Sequence, residues 1–416
     1  MRATLIAIGP RGDIQPMIAL GAGLRAAGLD VRCATHEDFA DLARAHGLDV
    51  ALVQGRADRF FGGAAGIAVR ERLADARTFR RFFDDYLSLF YAKLLDEITG
   101  ACADADLLVC WPWMRFAPSL ADRFGVPVVI ACPYPPMHLP TSAFPNPFLG
   151  VPDPGVPARR TWRHALPVLQ AGEAALDRWR RAQGLPSIGW RADVRRLRRL
   201  PHLLGFSPAV LPRPIDWPDN VTVTGFWFLD ERADYAPPEA LRAFLEEGAP
   251  PVAIGFSSQL ARDSAALQEV VDEGVARAGV RAVLLTGFSG LAGASPGGRV
   301  FPIASVPHDW LYPRVAAVAH HGGSGSTGAA LRAGVPNFAV PFGYDQPLWG
   351  HRLQALGVGP APIPVAALTA ERLAEALTTL TTDPAMRARA AQVGAVVRAE
   401  DGVGDAVRAL LRMVEG

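Results

Sequence analysis

Residues 316–327 read Ala-Ala-Val-Ala-His320-His321-Gly322-Gly323-Ser324-Gly325-Ser326-Thr327 and lead into the helix-forming stretch Gly328 to Ala333. A strand that passes through a glycine-rich turn into a helix makes an anion site. Gly323 and Gly325 let backbone N–H groups approach an oxyanion, and the helix start adds partial positive charge. Ser324, Ser326 and Thr327 place hydroxyls there, and Ser326 and Thr327 are also suited to capping the helix. His321 adds a donor for a diphosphate. The competing reading is a glycine-rich turn with nothing bound, against which the two histidines and the hydroxyls weigh.

Farther along, Pro341-Phe342-Gly343-Tyr344-Asp345-Gln346-Pro347 sets a carboxylate beside an amide just after a strand. Vicinal sugar hydroxyls need such paired acceptors and donors, whereas alone Asp345 would read as a helix N-cap. At the other end of the chain, Gly9-Pro10-Arg11-Gly12-Asp13 follows the apolar run Ala3 to Ile8. Asp13 is either the N-cap of a helix beginning near Ile14 or a carboxylate placed to act as a base, and both readings stand at this point.

The elements that must position these groups alternate regularly. A strand at Thr4 to Ile8, a helix at Gln15 to Ala27 and a strand at Asp30 to Ala34 form one βαβ unit. Strands at Leu107 to Cys110 and Pro127 to Ala131, with the helix Ala117 to Phe124 between them, extend the parallel sheet. Short strands near Leu203 to Ser207 and Val221 to Gly225 follow a helical region. Leu229 to Pro238 has the composition of an exposed inter-domain linker. A second series of strands runs through Val252 to Phe256, Ala282 to Thr286, Val300 to Pro302, Ala316 to His320 and Asn337 to Val340. The fold class is therefore α/β with two Rossmann-like domains, an arrangement that binds ligands at the carboxyl ends of its strands.

A chain of 416 residues exceeds one ordinary core and fits two domains. Its 42 basic and 41 acidic side chains nearly cancel, so there is no global field to hold a nucleic acid or an anionic membrane. The arginines between Arg191 and Arg199 read as the wet face of a helix. Asp104-Ala105-Asp106 resembles a metal-binding carboxylate pair but, directly before a strand, reads better as a polar turn; no metal site is expected. Cys33, Cys102, Cys110 and Cys132 lack the spacing of a metal or redox motif and read as buried thiols of a cytoplasmic protein. The first apolar run is too short for an export signal, and no stretch is long enough to cross a bilayer.

The segment from Val306 to Pro362 resembles the nucleotide-sugar signature of family 1 glycosyltransferases, in particular bacterial antibiotic and sterol glucosyltransferases. Val306-Pro307-His308-Asp309-Trp310-Leu311, His321-Gly322-Gly323 and Asp345-Gln346-Pro347 stand in the order those enzymes show, and Gly9 to Pro16 looks like their N-terminal motif. The resemblance implies the GT-B fold, two Rossmann-like domains facing across a cleft. Its expected limits are an acceptor domain at 1–215, a donor domain with linker at 216–398, and a C-terminal helix at 399–416 packing back on the first domain.

The resemblance also implies roles. Val306 would face the nucleobase, His321 the diphosphate, Ser326 and Thr327 a phosphate, and Asp345 and Gln346 the sugar. Ser257 and Ser258 match a loop near the donor phosphates, and Arg11 and Gly12 are counted with the donor site. Many relatives carry histidine at the position of Asp13, and aspartate there resembles the antibiotic and sterol subgroup. Asp13 becomes the general base of an inverting, metal-independent transfer without a cofactor, the nucleotide sugar being a co-substrate. The acceptor is expected to be small and apolar, against Phe60, Phe83, Trp111, Trp113, Tyr134, Phe144 and Tyr344. A nucleotide-sugar epimerase and a non-catalytic helper of the same fold are the alternatives.

Overall fold

The computed structural model describes residues 1–56, 75–112, 115–149, 156–231, 235–256, 263–287, 291 and 298–415. Seven parallel strands form the first sheet: β1 (Arg2–Ile6), β2 (Asp30–His36), β3 (Asp49–Val53), β4 (Leu107–Cys110), β5 (Val128–Cys132), β6 (His202–Leu204) and β7 (Val221–Val223). Their order is β3-β2-β1-β4-β5-β6-β7. The second sheet contains β8 (Val252–Gly255), β9 (Ala282–Leu285), β10 (Val300–Ile303), β11 (Ala317–His320) and β12 (Asn337–Ala339), in the order β10-β9-β8-β11-β12. Central strands such as β4 and β5 are buried along their whole length, which is why they read as unbroken apolar runs rather than as alternations.

Around the first sheet pack α1 (Arg11–Ala26), α2 (Glu37–Ala45), α3 (Ser88–Ala101), α4 (Ala117–Phe124), α5 (Glu173–Ala182) and α6 (Trp190–Leu197). The second carries α7 (Ser264–Ala278), α8 (Ser324–Ala333), α9 (Gln346–Ala355), α10 (Ala370–Thr382) and α11 (Pro384–Ala399), and the chain ends in α12 (Gly402–Glu415). Helix limits follow local chemistry. The Asp263 carboxylate accepts from the Ala266 amide at the start of α7, and Gly279, with φ +67°, closes it.

Several elements depart from the sequence expectation. Strand β3, which the sequence reading did not assign, lies at the sheet edge, where Leu52 is 54% exposed although Val50 to Val53 form an apolar run. β7 is hydrogen-bonded to β6 in the first sheet, so the first sheet continues past the expected limit at residue 215. Asp104 pairs with Arg2 and Arg32, and Asp106 accepts from the Arg2 amide, which makes that tripeptide a polar turn. On α6, Asp193, Val194 and Leu197 are buried. All four cysteines are buried and free. No helix among the described residues is long and apolar enough to cross a membrane.

The order of each sheet reverses beside its first strand, between β1 and β4 and between β8 and β11. Side chains leaving these strand ends point into the crevice such a reversal creates. The segment holding Asp13 follows β1, Trp111 follows β4, and His321 follows β11. Both chemically suggestive segments thus leave the sheets at their switch points.

The two halves are tied together by the end of the chain. α12 packs on α1, placing Ala406, Val407 and Leu410 in one core with Leu5, Met17 and Leu24. Gly23 permits the close helix approach, since a Cβ there would lie 2.5 Å from Val403 Cγ1. At the entry to α12, a Cβ on Gly402 would collide with the Phe226 carbonyl oxygen. Gly402→Ala is expected to cost about 1–3 kcal/mol, the range for forcing a methyl into packed structure, because the obstacle is backbone. Denaturant unfolding measures it, and unchanged stability would show that this crossing is not close-packed.

Candidate active site

The switch points face one another across a cleft of about 710 Å³, walled by Asp13, Trp111 and Tyr134 on one side and by Val306, His321 and Asp345 on the other. That size accommodates a drug-sized ligand.

Helix α1 begins at Arg11 with Pro10 at its N-cap, so Asp13 stands in the first turn and is not the N-cap. Its side chain is only 7% exposed. Gly9, at φ +134°, makes this possible, because a Cβ there would lie 2.7 Å from Asp13 Oδ2. Burial pushes the Asp13 carboxyl up to about 7; the Tyr134 hydroxyl and Trp111 indole favour its charged form, while Asp345 across the cleft opposes it. Desolvation wins because the charged form loses more hydration than the neighbouring polar groups restore. Asp13 Oδ1 has no hydrogen-bond partner.

On the facing wall α8 begins at Ser324, with Gly323 at its N-cap and no side chain capping it. The helix starts earlier than the glycine and serine content suggests, and Ser326 and Thr327 fall within its first turn. Gly323, Ser324 and Gly325 at this uncapped end line the cleft, and the start of a helix carries backbone N–H groups without intrahelical partners. The preceding turn is fixed from behind. His320 Nδ1 accepts from the Gly322 amide at 2.9 Å, which leaves the proton on Nε2, 3.3 Å from Asn337 Oδ1. Burial pushes His320 down to about 4, in keeping with that neutral tautomer. Gly322 has φ +87°. A Cβ on Gly323 would collide with His321 Nε2, so the imidazole lies directly over the helix start. Burial, reinforced by His320 and His308, pushes His321 down to about 3; without an anion it is neutral.

Asp345 and Gln346 enter the cleft from the start of α9. Tyr344, at φ 57°, carries the backbone strain of this corner. Trp349 Nε1 donates to Asp345 Oδ2 at 2.6 Å, and burial pushes the Asp345 carboxyl up to about 6 despite that bond. The Gln346 carbonyl accepts from the amides of Phe342 and Gly343, at 2.7 and 3.2 Å. Two backbone donors fix the amide orientation and leave its NH₂ for the cleft.

Arg11, Gly12, Ser326 and Tyr344 also line the cleft. Arg11 donates to Glu231 at 2.6 Å and to Gln15 at 2.8 Å. Ser324 Oγ donates across the domains to the Pro133 carbonyl at 2.6 Å. Thr327 is fully buried and lies outside the cleft lining. Phe83 lines a separate, smaller cavity, and Phe144 packs edge-on to Trp217 and beside Trp162. Ser257, Ser258, Phe60 and Trp113 lie outside the described residues. The sequence reading missed Asp230, Glu231, Asp309 and Arg332, all on the cleft wall. Asp230 and Glu231 had the composition of a linker, yet Asp230 pairs with Arg332 at 2.5 Å and Glu231 with Arg11. Two acidic residues in a proline-containing linker were the signal for that pair, and Asp309 stood inside the Val306 to Leu311 motif without a role assigned to it.

Comparison with known proteins places this geometry in context. Residues 3–135 match the glycosyltransferase family 28 N-terminal domain, and residues 290–412 match the erythromycin biosynthesis protein CIII-like C-terminal domain. The chain is 35% identical to an O-mycaminosyltylonolide 6-deoxyallosyltransferase of Streptomyces fradiae, over 98% of this chain and 96% of that protein. It is 36% identical to a sterol 3-beta-glucosyltransferase of Emericella nidulans over 100% of this chain, but spans only 30% of that relative's length. The fold is similar to that of the glycotransferase of kitacinnamycin, at 21% identity, with a TM-score of 0.72 and 99% of both chains covered. It is also similar to the glycosyltransferase VinC in complex with DTDP, at 21% identity and a TM-score of 0.68, with 100% of both chains covered.

The burial of Asp13 has a consequence for stability. Its folded value of about 7 lies above the ordinary 3.8, so ionisation opposes folding. The stability present below the ordinary value is lost as pH rises through the folded one. Asp13→Asn removes this titration and should gain stability relative to the parent between about pH 5 and about pH 8, at about 1.4 kcal/mol per unit of displacement. Urea unfolding at both values checks it; a difference that does not change with pH would contradict the burial argument.

Proposed function

The chain belongs to the GT-B glycosyltransferases that combine a family 28 N-terminal domain with an erythromycin CIII-like C-terminal domain, and from that premise we propose that it is an inverting, metal-independent cytoplasmic enzyme. It moves a hexose or deoxyhexose from a UDP- or dTDP-sugar to a hydroxyl of a small apolar acceptor of polyketide, macrolide, aglycone or sterol type. The observation that carries the reading is Asp13, a desolvated carboxylate facing the uncapped start of α8 and the Asp345–Gln346 pair across one cleft.

The diphosphate rests on the N–H groups at the start of α8 beneath His321, where charge leaving the sugar is met by donors already in place. A diphosphate beside the neutral imidazole raises its proton affinity, so His321 gains a stronger donor when the site fills. Asp345 accepts from sugar hydroxyls, and the Gln346 NH₂ donates to their oxygens. Trp349 and the amides of Phe342 and Gly343 hold both side chains in position.

The acceptor lies between Asp13, Trp111 and Tyr134. Its oxygen bonds to the anomeric carbon while Asp13 takes the hydroxyl proton, and the bond to the diphosphate breaks on the opposite face, with the electron pair leaving on the phosphate. One displacement inverts the anomeric carbon. A carboxylate with an ordinary value would be a feeble base toward an alcohol. Burial brings Asp13 to about 7, close to the working pH, where a general base serves best.

The rate should therefore rise with pH through about 7 and level off once Asp13 is ionised. Asp13→Asn should reduce kcat by about two to four orders of magnitude with nucleotide affinity nearly unchanged. Transfer from an α-linked donor should give a β-linked product, and a chelator should leave the rate intact. Full activity in Asp13→Asn, or a retained configuration, contradicts the mechanism.

A further inference from the structure

Beyond Trp111 and Tyr134, the segments following β4 and β5 wall a second cavity of about 40 Å³, lined by Phe83, Arg115, Met137, His138, Leu169 and Ala171 among others. Pro112 and Pro136 share this lining while Trp111 and Tyr134 line the cleft, so the two spaces are separated by one stretch of each segment. Such a volume admits a few atoms of a ligand.

Arg115 is out of place in this apolar setting. It is 3% exposed, and its backbone is left-handed at φ 52°. Among the described residues its guanidinium makes only long contacts: 3.3 Å to Asp193 Oδ2, and 3.4 Å to the carbonyls of Gln170 and Ala171. Nε has no partner. The same domain shows how a buried arginine is satisfied when its role is structural. Arg180, 2% exposed, donates to the Pro186 carbonyl at 2.8 Å, to Ser119 Oγ at 2.9 Å and to Asp122 at 2.8 Å. A buried cation with unused donors and a strained backbone is costly, and a cavity beside it offers the missing partner.

We propose that Arg115 forms a subsite for a neutral carbonyl oxygen at the end of the acceptor remote from the reacting hydroxyl, and so sets acceptor specificity. The inference rests on the glycosyl-transfer reading above. A neutral oxygen is required because Asp193 already pairs with Arg115. A carboxylate would add a second buried anion beside one whose own ionisation burial already disfavours. His138 does not compete as a donor. His202 Nδ1 lies 2.7 Å from the Leu200 carbonyl and therefore carries the proton, so the 2.7 Å contact between the two Nε2 atoms uses the His138 N–H. Arg115 supplies the donor.

The test uses dehydroepiandrosterone, which bears a ring ketone at the end opposite its hydroxyl, its deoxy counterpart lacking that ketone, and para-nitrophenol as a single-ring acceptor with no remote carbonyl. With UDP-glucose or dTDP-glucose as donor, the parent should prefer the ketone by about tenfold or more in kcat/KM, as expected for a hydrogen bond to a charged group. Arg115→Met should bring that ratio near one while leaving the nucleotide-induced thermal shift and the para-nitrophenol rate unchanged, which also verifies folding. Ala171→Leu, which fills the cavity and keeps the guanidinium, should slow both steroids and spare para-nitrophenol. Equal steroid kcat/KM in the parent, a preference that survives Arg115→Met, or transfer to para-nitrophenol alone overturns the subsite and leaves glycosyl transfer standing. No transfer to any probe and no nucleotide-induced shift overturns the reading on which it rests.

Discussion

A carboxylate withdrawn from water in the wall of a cleft is the constraint around which the site is organised. Asp13 cannot reach its position unless Gly9 lacks a side chain, and its first-turn place on α1 depends on the helix beginning at Arg11. The groups around it, Tyr134, Trp111 and Asp345, come from three separate segments and both domains. Folding thus maintains an ionisable group in an unfavourable medium, and that cost is the source of its basicity. The facing wall follows complementary logic. There the neutral His321 and the bare start of α8 concentrate donors opposite the Asp13 carboxyl.

Close backbone approach is the second theme. Gly322 at φ +87° brings the turn to the Gln346 backbone, with a prospective Cβ only 2.9 Å from that carbonyl oxygen. Gly323 lies beneath the His321 ring. Neither glycine is there for flexibility, since His320, locked between the Gly322 amide and Asn337, holds the turn rigid. Contacts between the domains are of the same short-range kind. Ser324 reaches the Pro133 carbonyl, Ser207 donates to Glu400 at 2.6 Å, and Arg352 reaches the Val210 carbonyl at 2.8 Å. The α8 wall of the cleft is therefore registered against the Asp13 wall by direct hydrogen bonds as well as by α12.

Much of this was legible in the residues. Buried parallel strands announce themselves as apolar runs, and the strand Leu107–Cys110 and helix Ala117–Phe124 fall where pattern and punctuation place them. The segments containing Asp13, His321 and Asp345 attract attention because glycine, histidine and carboxylate at strand ends have few other uses, and the fold brings all three to one cleft. What was hidden depended on long-range packing. α8 starts among glycines and serines that local propensity assigns to a turn. Nothing in the sequence near Arg115 distinguishes it from Arg180, since what separates them is the supply of partners in the folded chain. Asp230 and Glu231 had linker composition because charge serves equally for solvation and for pairing across a cleft.

The central claim is that the fold displaces the proton affinity of Asp13 and that burial is the cause. The most direct measurement is a pH titration of the protein with carbon-13 in its aspartate carboxyls, the Asp13 resonance being assigned by its disappearance in Asp13→Asn. A midpoint of about 7 is expected from its burial, and a midpoint at the ordinary aspartate value of about 4 would contradict the account.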